Sequence, residues 1–116
     1  MSFWRKEVID FALQRETAEH IQEQKEWIAR EPRNPRPWYN LAQLYRIERR
    51  QDEALALLLE AVGIDEACAD AHVALVEIYA VRADYAAAQK HALKGAEHGN
   101  SRGVELLRRF TKSPED

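Results

Sequence analysis

A period of 34 residues runs through the middle of the chain, from Asn34 to Gly95, and restricts the fold more than any other feature. Three pairs of identical residues lie 34 positions apart: Leu41 and Leu75, Tyr45 and Tyr79, and Ala54 and Ala88. Each unit contains two segments whose apolar residues recur at helical spacing. A period of this length with two helices in each unit is typical of a helix-turn-helix solenoid. The repeat therefore predicts an all-α array of antiparallel helix pairs.

The composition supports a single all-α domain over residues 1–116. Hydrophobic residues make up 46% and charged residues 32% of the chain, with four glycines and four prolines. The net charge of −3, without a concentrated basic stripe, argues against a nucleic-acid partner. No apolar run of about 18 residues is present, so membrane insertion is not expected. The charged start of the chain and its single cysteine, Cys68, predict a cytoplasmic protein.

Turn and cap signals divide the chain into segments. Asn34 is expected to cap a helix that begins at Pro35, because the first helical turn tolerates proline. Gly63 is expected to end the second helix of the first unit in a left-handed conformation, and Gly99 is expected to stop the second helix of the next unit. The resulting division gives repeats at residues 34–68 and 69–102, a capping helix at 103–111 and a tail at 112–116. In the capping helix, Val104, Leu107 and Phe110 are expected to face inward.

Residues 1–33 allow two interpretations. They contain no glycine, no proline before position 32 and many strong helix formers, which predicts one long helix. Alternatively, a polar run around Arg15 separates two helices, with Thr17 as the N-cap of the second. The register slightly favours this degenerate first repeat, because two aromatic residues lie 34 positions before their equivalents: Trp4 before Trp38, and Phe11 before Tyr45.

The two units resemble the tetratricopeptide repeat, and the chain resembles a small domain of the bacterial type. The matching residues of the first unit are Trp38-Tyr39-Asn40-Leu41-Ala42, Tyr45, Asp52-Glu53-Ala54, Leu58 and Ala61. The second unit keeps Leu75, Tyr79, Ala83-Asp84-Tyr85 and Ala88. It departs from the pattern at His72, which replaces the tryptophan, and at Val76, where a small residue is usual. The resemblance implies a solenoid with two clear repeats, a degenerate N-terminal helical segment and a C-terminal capping helix.

The resemblance also implies that the chain binds a protein or peptide partner, without catalysis or a cofactor. In this family the first helix of each unit lines a concave groove that holds a segment of the partner. The matching residues are Arg36, Tyr39, Asn40, Gln43, Arg46, Ile47, Asp70, Val73, Ala74, Glu77, Ala80 and Val81. Their types predict a basic and polar first half and an acidic second half with an apolar floor. Such a groove suits a segment of mixed charge with one or two apolar anchors.

A second interpretation gives the chain a structural role in self-assembly. Large apolar residues are concentrated near its start, and those assigned to self-association are Trp4, Phe11, Trp27 and Ile28. If these side chains are exposed together, they mark an interface with another copy, as in a homodimer.

Residues that suggest catalysis or metal binding are few. The sequence has no glycine-rich phosphate loop, no serine elbow and no His/Cys cluster, so neither an enzyme nor a metal site is predicted. Cys68 and His72 have the spacing of metal ligands, but two ligands do not form a structural zinc site. His72 is instead expected to pack between the units, in the position that Trp38 takes in the first unit.

Overall fold

The structure, a computed structural model, describes the backbone of residues 2–111 and the side chains of residues 15–111. Residues 2–111 form six helices and no strand: α1 (Ser2–Arg30), α2 (Pro35–Ile47), α3 (Gln51–Ile64), α4 (Ala69–Val81), α5 (Tyr85–Glu97) and α6 (Arg102–Thr111). Each helix packs against the next one along the chain, and α6 also packs against α4. The predicted all-α array of helix pairs is confirmed. The predicted tail at 112–116 lies outside the described residues.

The N-terminal segment is one uninterrupted helix of 29 residues, so the alternative with a break near Arg15 is wrong. The polar run around Arg15 contains no helix-breaking residue, and the side chains of Arg15 and Glu16 are exposed to solvent. Nε of Arg15 lies 3.4 Å from Oε1 of Glu19, one helical turn further on, and this spacing supports a continuous helix. The second half of α1 packs on the core through Ile21 and Ile28.

The helix ends follow the predicted cap signals with one exception. The side chain of Asn34 accepts a hydrogen bond from the backbone N–H of Arg36, as expected for an N-cap before Pro35. Gly99 has a φ of 96° and ends α5 in the left-handed region, also as predicted. Gly63 was expected to do the same after α3, but it lies inside that helix, which runs on to Ile64. The chain leaves α3 through an extended residue, Asp65, so no left-handed residue is needed there.

The core lies between the helices of each pair and between neighbouring pairs. Its main cluster includes the large side chains Leu41, Tyr45, Leu58, Leu75 and Ile78. Alanine occupies the positions where paired helices approach each other, and Ala42, Ala54, Ala61 and Ala88 are fully buried. A larger side chain at these positions would force the two backbones apart. The residues that repeat most faithfully therefore determine how the helices stack.

The capping helix α6 lies unusually close to the second repeat. Gly103 is buried, and a Cβ atom at this position would lie 3.0 Å from Cγ2 of Val76. Val104, Leu106 and Leu107 pack against the cluster formed by Val76, Ala88 and Ala92. Phe110, which was expected to face inward, is 43% exposed.

Candidate functional site

Two equivalent rows of side chains run along the first helices of the two repeats. The row on α2 is Tyr39, Gln43 and Ile47, and the row on α4, 34 positions later, is Val73, Glu77 and Val81. Residues four positions apart lie on the same face of a helix, so each row is continuous. Nη2 of Arg46 lies 2.7 Å from Oε2 of Glu77, which brings the two rows together. Val73 is buried, and we refer to the other five residues together with Arg46 as the α2–α4 face.

A chain of hydrogen bonds crosses the α2–α4 face. Nε2 of Gln43 donates to the hydroxyl of Tyr39 at 3.2 Å, and Nη1 of Arg46 donates to Oε1 of Gln43 at 3.1 Å. Arg46 completes the chain with its bond to Glu77 on the neighbouring helix. These half-buried side chains hold one another in fixed positions, so the face is ordered before anything binds to it.

The charges predicted for the groove are largely neutralised within the protein. Arg46 pairs with Glu77, and Nη2 of Arg36 lies 3.6 Å from Oδ2 of Asp70. Asp70 also accepts a hydrogen bond from Nδ2 of Asn100 at 3.2 Å. The expected free basic half and free acidic half are therefore not what the structure has. Each half supplies the counter-charge of the other, because equivalent positions of the two repeats lie side by side.

The apolar ends of the two rows are open to solvent. Ile47 is 70% exposed and Val81 is 76% exposed, although both are β-branched aliphatic residues. They are the last residues of α2 and α4 and lie 34 positions apart, so they are equivalent in the two repeats. The two repeats therefore each expose one apolar residue at the same repeat position.

Several residues predicted to line the groove do not reach its surface. Val73, Ala74 and Ala80 are at most 5% exposed and belong to the core. The prediction took α4 to be open along its length, but α6 packs against it. Asn40 also points elsewhere, since its Nδ2 donates to Oε1 of Gln24 on α1 at 3.2 Å.

The capping helix extends the α2–α4 face, and sequence reasoning missed this. A recess of about 160 Å³ lies between α4 and α6, where Val73 and Glu77 meet residues of the capping helix. The α6 residues that line it are Arg102, Glu105, Leu106 and Arg109. The sequence pattern placed most of them on an outer, wet surface. The order of the helices could have revealed them. Because α6 follows α5 as α4 follows α3, α6 takes the place of a further first helix and lies beside α4.

The residues assigned to self-association separate into two groups. The side chains of Trp4 and Phe11 lie outside the described residues. Ile28 packs against the core, so it is not free to form an interface. Trp27 is half-buried, and its Nε1 donates to Oε2 of Glu31 at 2.7 Å.

Two buried histidines form a polar contact inside the second repeat that the sequence did not predict. Nδ1 of His72 lies 3.0 Å from Nδ1 of His91, and Nε2 of His72 lies 2.8 Å from the carbonyl oxygen of Glu66. A carbonyl oxygen can only accept, so Nε2 of His72 carries a proton. In the neutral pair, Nδ1 of His91 then donates to Nδ1 of His72.

His72 therefore contacts His91 within its own unit and Glu66 of the preceding unit, and these bonds leave neither nitrogen of His72 free to bind a metal. Burial lowers the pKa of His91 to about 4 and also lowers the pKa of His72, because desolvation disfavours the charged ring. Among the residues that the structure describes, no group of three or more His, Cys, Asp or Glu side chains could hold a metal ion.

The fold and the α2–α4 face define a helical-repeat protein of the solenoid class. Residues 24–56 match the family model described as tetratricopeptide repeat, which covers the end of α1, all of α2 and the start of α3. Over these residues the chain is similar to the tetratricopeptide repeat family. Repeats of this family generally mediate interactions between proteins. No curated protein matches the chain. Over the described residues, no helix has the length and apolar character needed to cross a membrane.

Proposed function

We propose that the chain is a non-catalytic interaction module that binds an extended or helical segment of a partner protein across the α2–α4 face. Proteins built from these repeats typically act as scaffolds rather than as enzymes. The observation that carries the proposal is the exposed pair of equivalent apolar residues, Ile47 and Val81, at the open end of an otherwise ordered polar surface. Burying this pair under a partner removes apolar area from water at little cost in ordering the protein.

The arrangement of the face indicates which segments it would bind. Arg46 of α2 bonds to Glu77 of α4, so Ile47 and Val81 lie at corresponding ends of two neighbouring helices. Side chains two positions apart on an extended chain point to the same side, and so do side chains three or four positions apart on a helix. The favoured ligand therefore has two apolar side chains on one face. It needs few charges near Arg46 and Glu77, because these two neutralise each other.

A displayed peptide library tests the proposal. Peptides are selected on the wild-type protein and then assayed on Ile47→Asp/Val81→Asp, which places charges in the apolar pair. The expected result is that selected peptides share two apolar residues at a fixed spacing and lose at least tenfold in affinity for the variant, since each 1.4 kcal/mol corresponds to a factor of ten.

Leu59→Asp is the matched control, because Leu59 is also an exposed aliphatic residue but lies on α3, a second helix. Its circular dichroism and peptide affinity should match those of the wild type. Peptides that bind the Ile47/Val81 variant as tightly as the wild type would overturn the assignment of the site. Loss of binding in the Leu59 variant alone would show that the peptide binds the surface that contains α3.

A further inference from the structure

The N-terminal helix takes the place of the second helix of a repeat. The turn from α1 to α2 has the same hydrogen bonds as the turn from α3 to α4, 34 residues later. Asn34 N–H donates to the carbonyl of Glu31 at 3.0 Å, and Cys68 N–H donates to that of Asp65 at 3.0 Å. Because α1 enters α2 as α3 enters α4, α1 is the equivalent of α3. Within residues 2–111, no first helix precedes it.

The face of α1 where a first helix would pack is open. In α3 the corresponding contact positions are Ala54 and Ala61, which are fully buried against α2. In α1 these positions hold His20, which is exposed, and Trp27, which is half-buried. Glu16 and Glu23 are exposed on the same side of the helix, four residues before each of these two positions.

The other end of the array also has an open face, and there a first helix lacks a second helix. Helix α6 packs on α5 and α4 as the next first helix would, and no described residue follows it to form a second helix. A groove of about 310 Å³ remains between α5 and α6. Ala92, Leu93, Val104 and Leu107 give it apolar surface, and Arg108 also lines it. Leu93 is well exposed there.

The charges of the two open faces are opposite and unsatisfied. Arg108, which lines the α5–α6 groove, forms no ion pair within the part of the chain whose side chains are described, and neither do Glu16 and Glu23 of α1. By contrast, Arg36, Arg46, Arg50 and Arg82 all pair within the protein.

We propose that the open face of α1 in one copy docks into the α5–α6 groove of a second copy. The two half-repeats then form one composite repeat, in which Trp27 supplies the apolar anchor and the glutamates of α1 lie near Arg108 of the groove. The contact joins two different surfaces of the same chain, so each added copy leaves one open face at either end. The assembly is a head-to-tail series and leaves the α2–α4 face uncovered.

Sedimentation velocity over a range of protein concentrations tests the proposal. The average mass of the wild type should rise with concentration above the 13.5 kDa of one chain and beyond that of a dimer. Arg108→Glu blocks the groove, Glu23→Arg blocks α1, and each should weaken association at least tenfold. Lys90→Glu and Glu60→Arg make the same charge changes at exposed positions outside both faces and should assemble like the wild type. Circular dichroism verifies that each variant is folded.

Mixing the two blocked variants distinguishes this contact from a symmetric one. The Arg108→Glu protein keeps an intact α1, the Glu23→Arg protein keeps an intact groove, and the two reversed charges attract each other. An equimolar mixture should therefore regain the assembly that each variant alone has lost. A wild type that stays monomeric at every concentration would overturn the proposal. Assembly that Glu23→Arg abolishes but Arg108→Glu leaves intact would also overturn it, and would indicate pairing of α1 with α1 instead.

Discussion

Nδ1 of His91 lies 3.0 Å from Nδ1 of His72, and this contact connects α5 to α4 inside the core of the second repeat. His72 occupies the position of Trp38 in the first repeat and keeps its hydrogen bond. Nε1 of Trp38 donates to the carbonyl of Pro32 at 3.2 Å, and Nε2 of His72 bonds to the equivalent carbonyl of Glu66 at 2.8 Å. The smaller ring leaves a second nitrogen inside the core, and His91 satisfies it. The ring of Tyr79 stacks on His91 with an interplanar angle of 7°.

The histidine pair makes the stability of the fold depend on pH. The pKa of His91 is lowered from 6.5 to about 4, so the unfolded chain binds a proton in this range that the folded chain does not. The contribution of His91 to the free energy of unfolding should therefore be fully present above pH 6.5. It should be lost as the pH is lowered towards 4. Between pH 7 and pH 5 the loss from His91 is about 2 kcal/mol. Urea denaturation at several pH values measures it.

The control for this pH dependence is a pair of histidine substitutions. His91→Gln keeps a hydrogen-bond donor for His72 but removes the titrating ring, so it should flatten the pH profile. His20→Gln changes an exposed histidine on α1 and should keep the wild-type profile. The charged and titratable groups around the pair are Glu66, which lies 2.6 Å from Lys94, together with Lys90 and His98. An unchanged profile in His91→Gln would assign the effect to one of these groups.

Truncation of a buried leucine should cost far more stability than truncation of an exposed isoleucine. Leu75 is fully buried in the main core cluster, and Leu75→Ala should lower the free energy of unfolding by roughly 2–5 kcal/mol. Ile47 is mostly exposed, and Ile47→Ala should change it by no more than about 0.5 kcal/mol. Urea denaturation at pH 7 measures both changes. A large decrease in the free energy of unfolding for Ile47→Ala would mean that this side chain packs within the fold and is not available to a partner.

Alanine substitution should have opposite effects at two glycines. Gly99 has a φ of 96°, which an L-residue rarely adopts, so Gly99→Ala should destabilise the protein by about 1 kcal/mol or more. Gly63 lies inside α3, where an added Cβ would meet no neighbouring atom within 4 Å, so Gly63→Ala should stabilise it by roughly 0.5–1 kcal/mol. Thermal unfolding monitored by circular dichroism separates the two. If Gly63→Ala instead destabilises the protein, Gly63 ends α3 in a left-handed conformation, as the sequence predicted.

The ion pair between Arg46 and Glu77 should couple the two repeats more strongly than an exposed pair of equal length. Its N···O distance is 2.7 Å and both side chains are half-buried, whereas Arg82 lies 2.7 Å from an Asp52 that is 93% exposed. Double-mutant cycles with alanine should give a coupling energy of about 0.5–1 kcal/mol for the first pair and near zero for the second. The same coupling in both cycles would show that burial does not strengthen the contact.

The sequence alone determined the helices and their order. Helix formation depends on local hydrogen bonds and on periodicity within a segment, and α4 begins at Ala69, the predicted start of the second repeat. The sequence also predicted how the helices stack, because the residues that it repeats occupy equivalent packing positions. Examples are Leu41 with Leu75 and Ala54 with Ala88. Of the candidate site, the sequence predicted Ile47 and Val81 through their equivalent positions, and both are exposed in the structure.

The tertiary structure alone decided which of these side chains remain accessible and which pair. His72 and His91 are 19 residues apart on different helices, and nothing in a linear pattern indicates that their rings meet. The coverage of Val73 depends on how closely α6 approaches α4, which Gly103 permits. The neutralisation of Arg46 by Glu77 depends on the relative rotation of two helices. Such contacts follow from distances and angles between elements, whereas sequence periodicity carries information only about each element by itself.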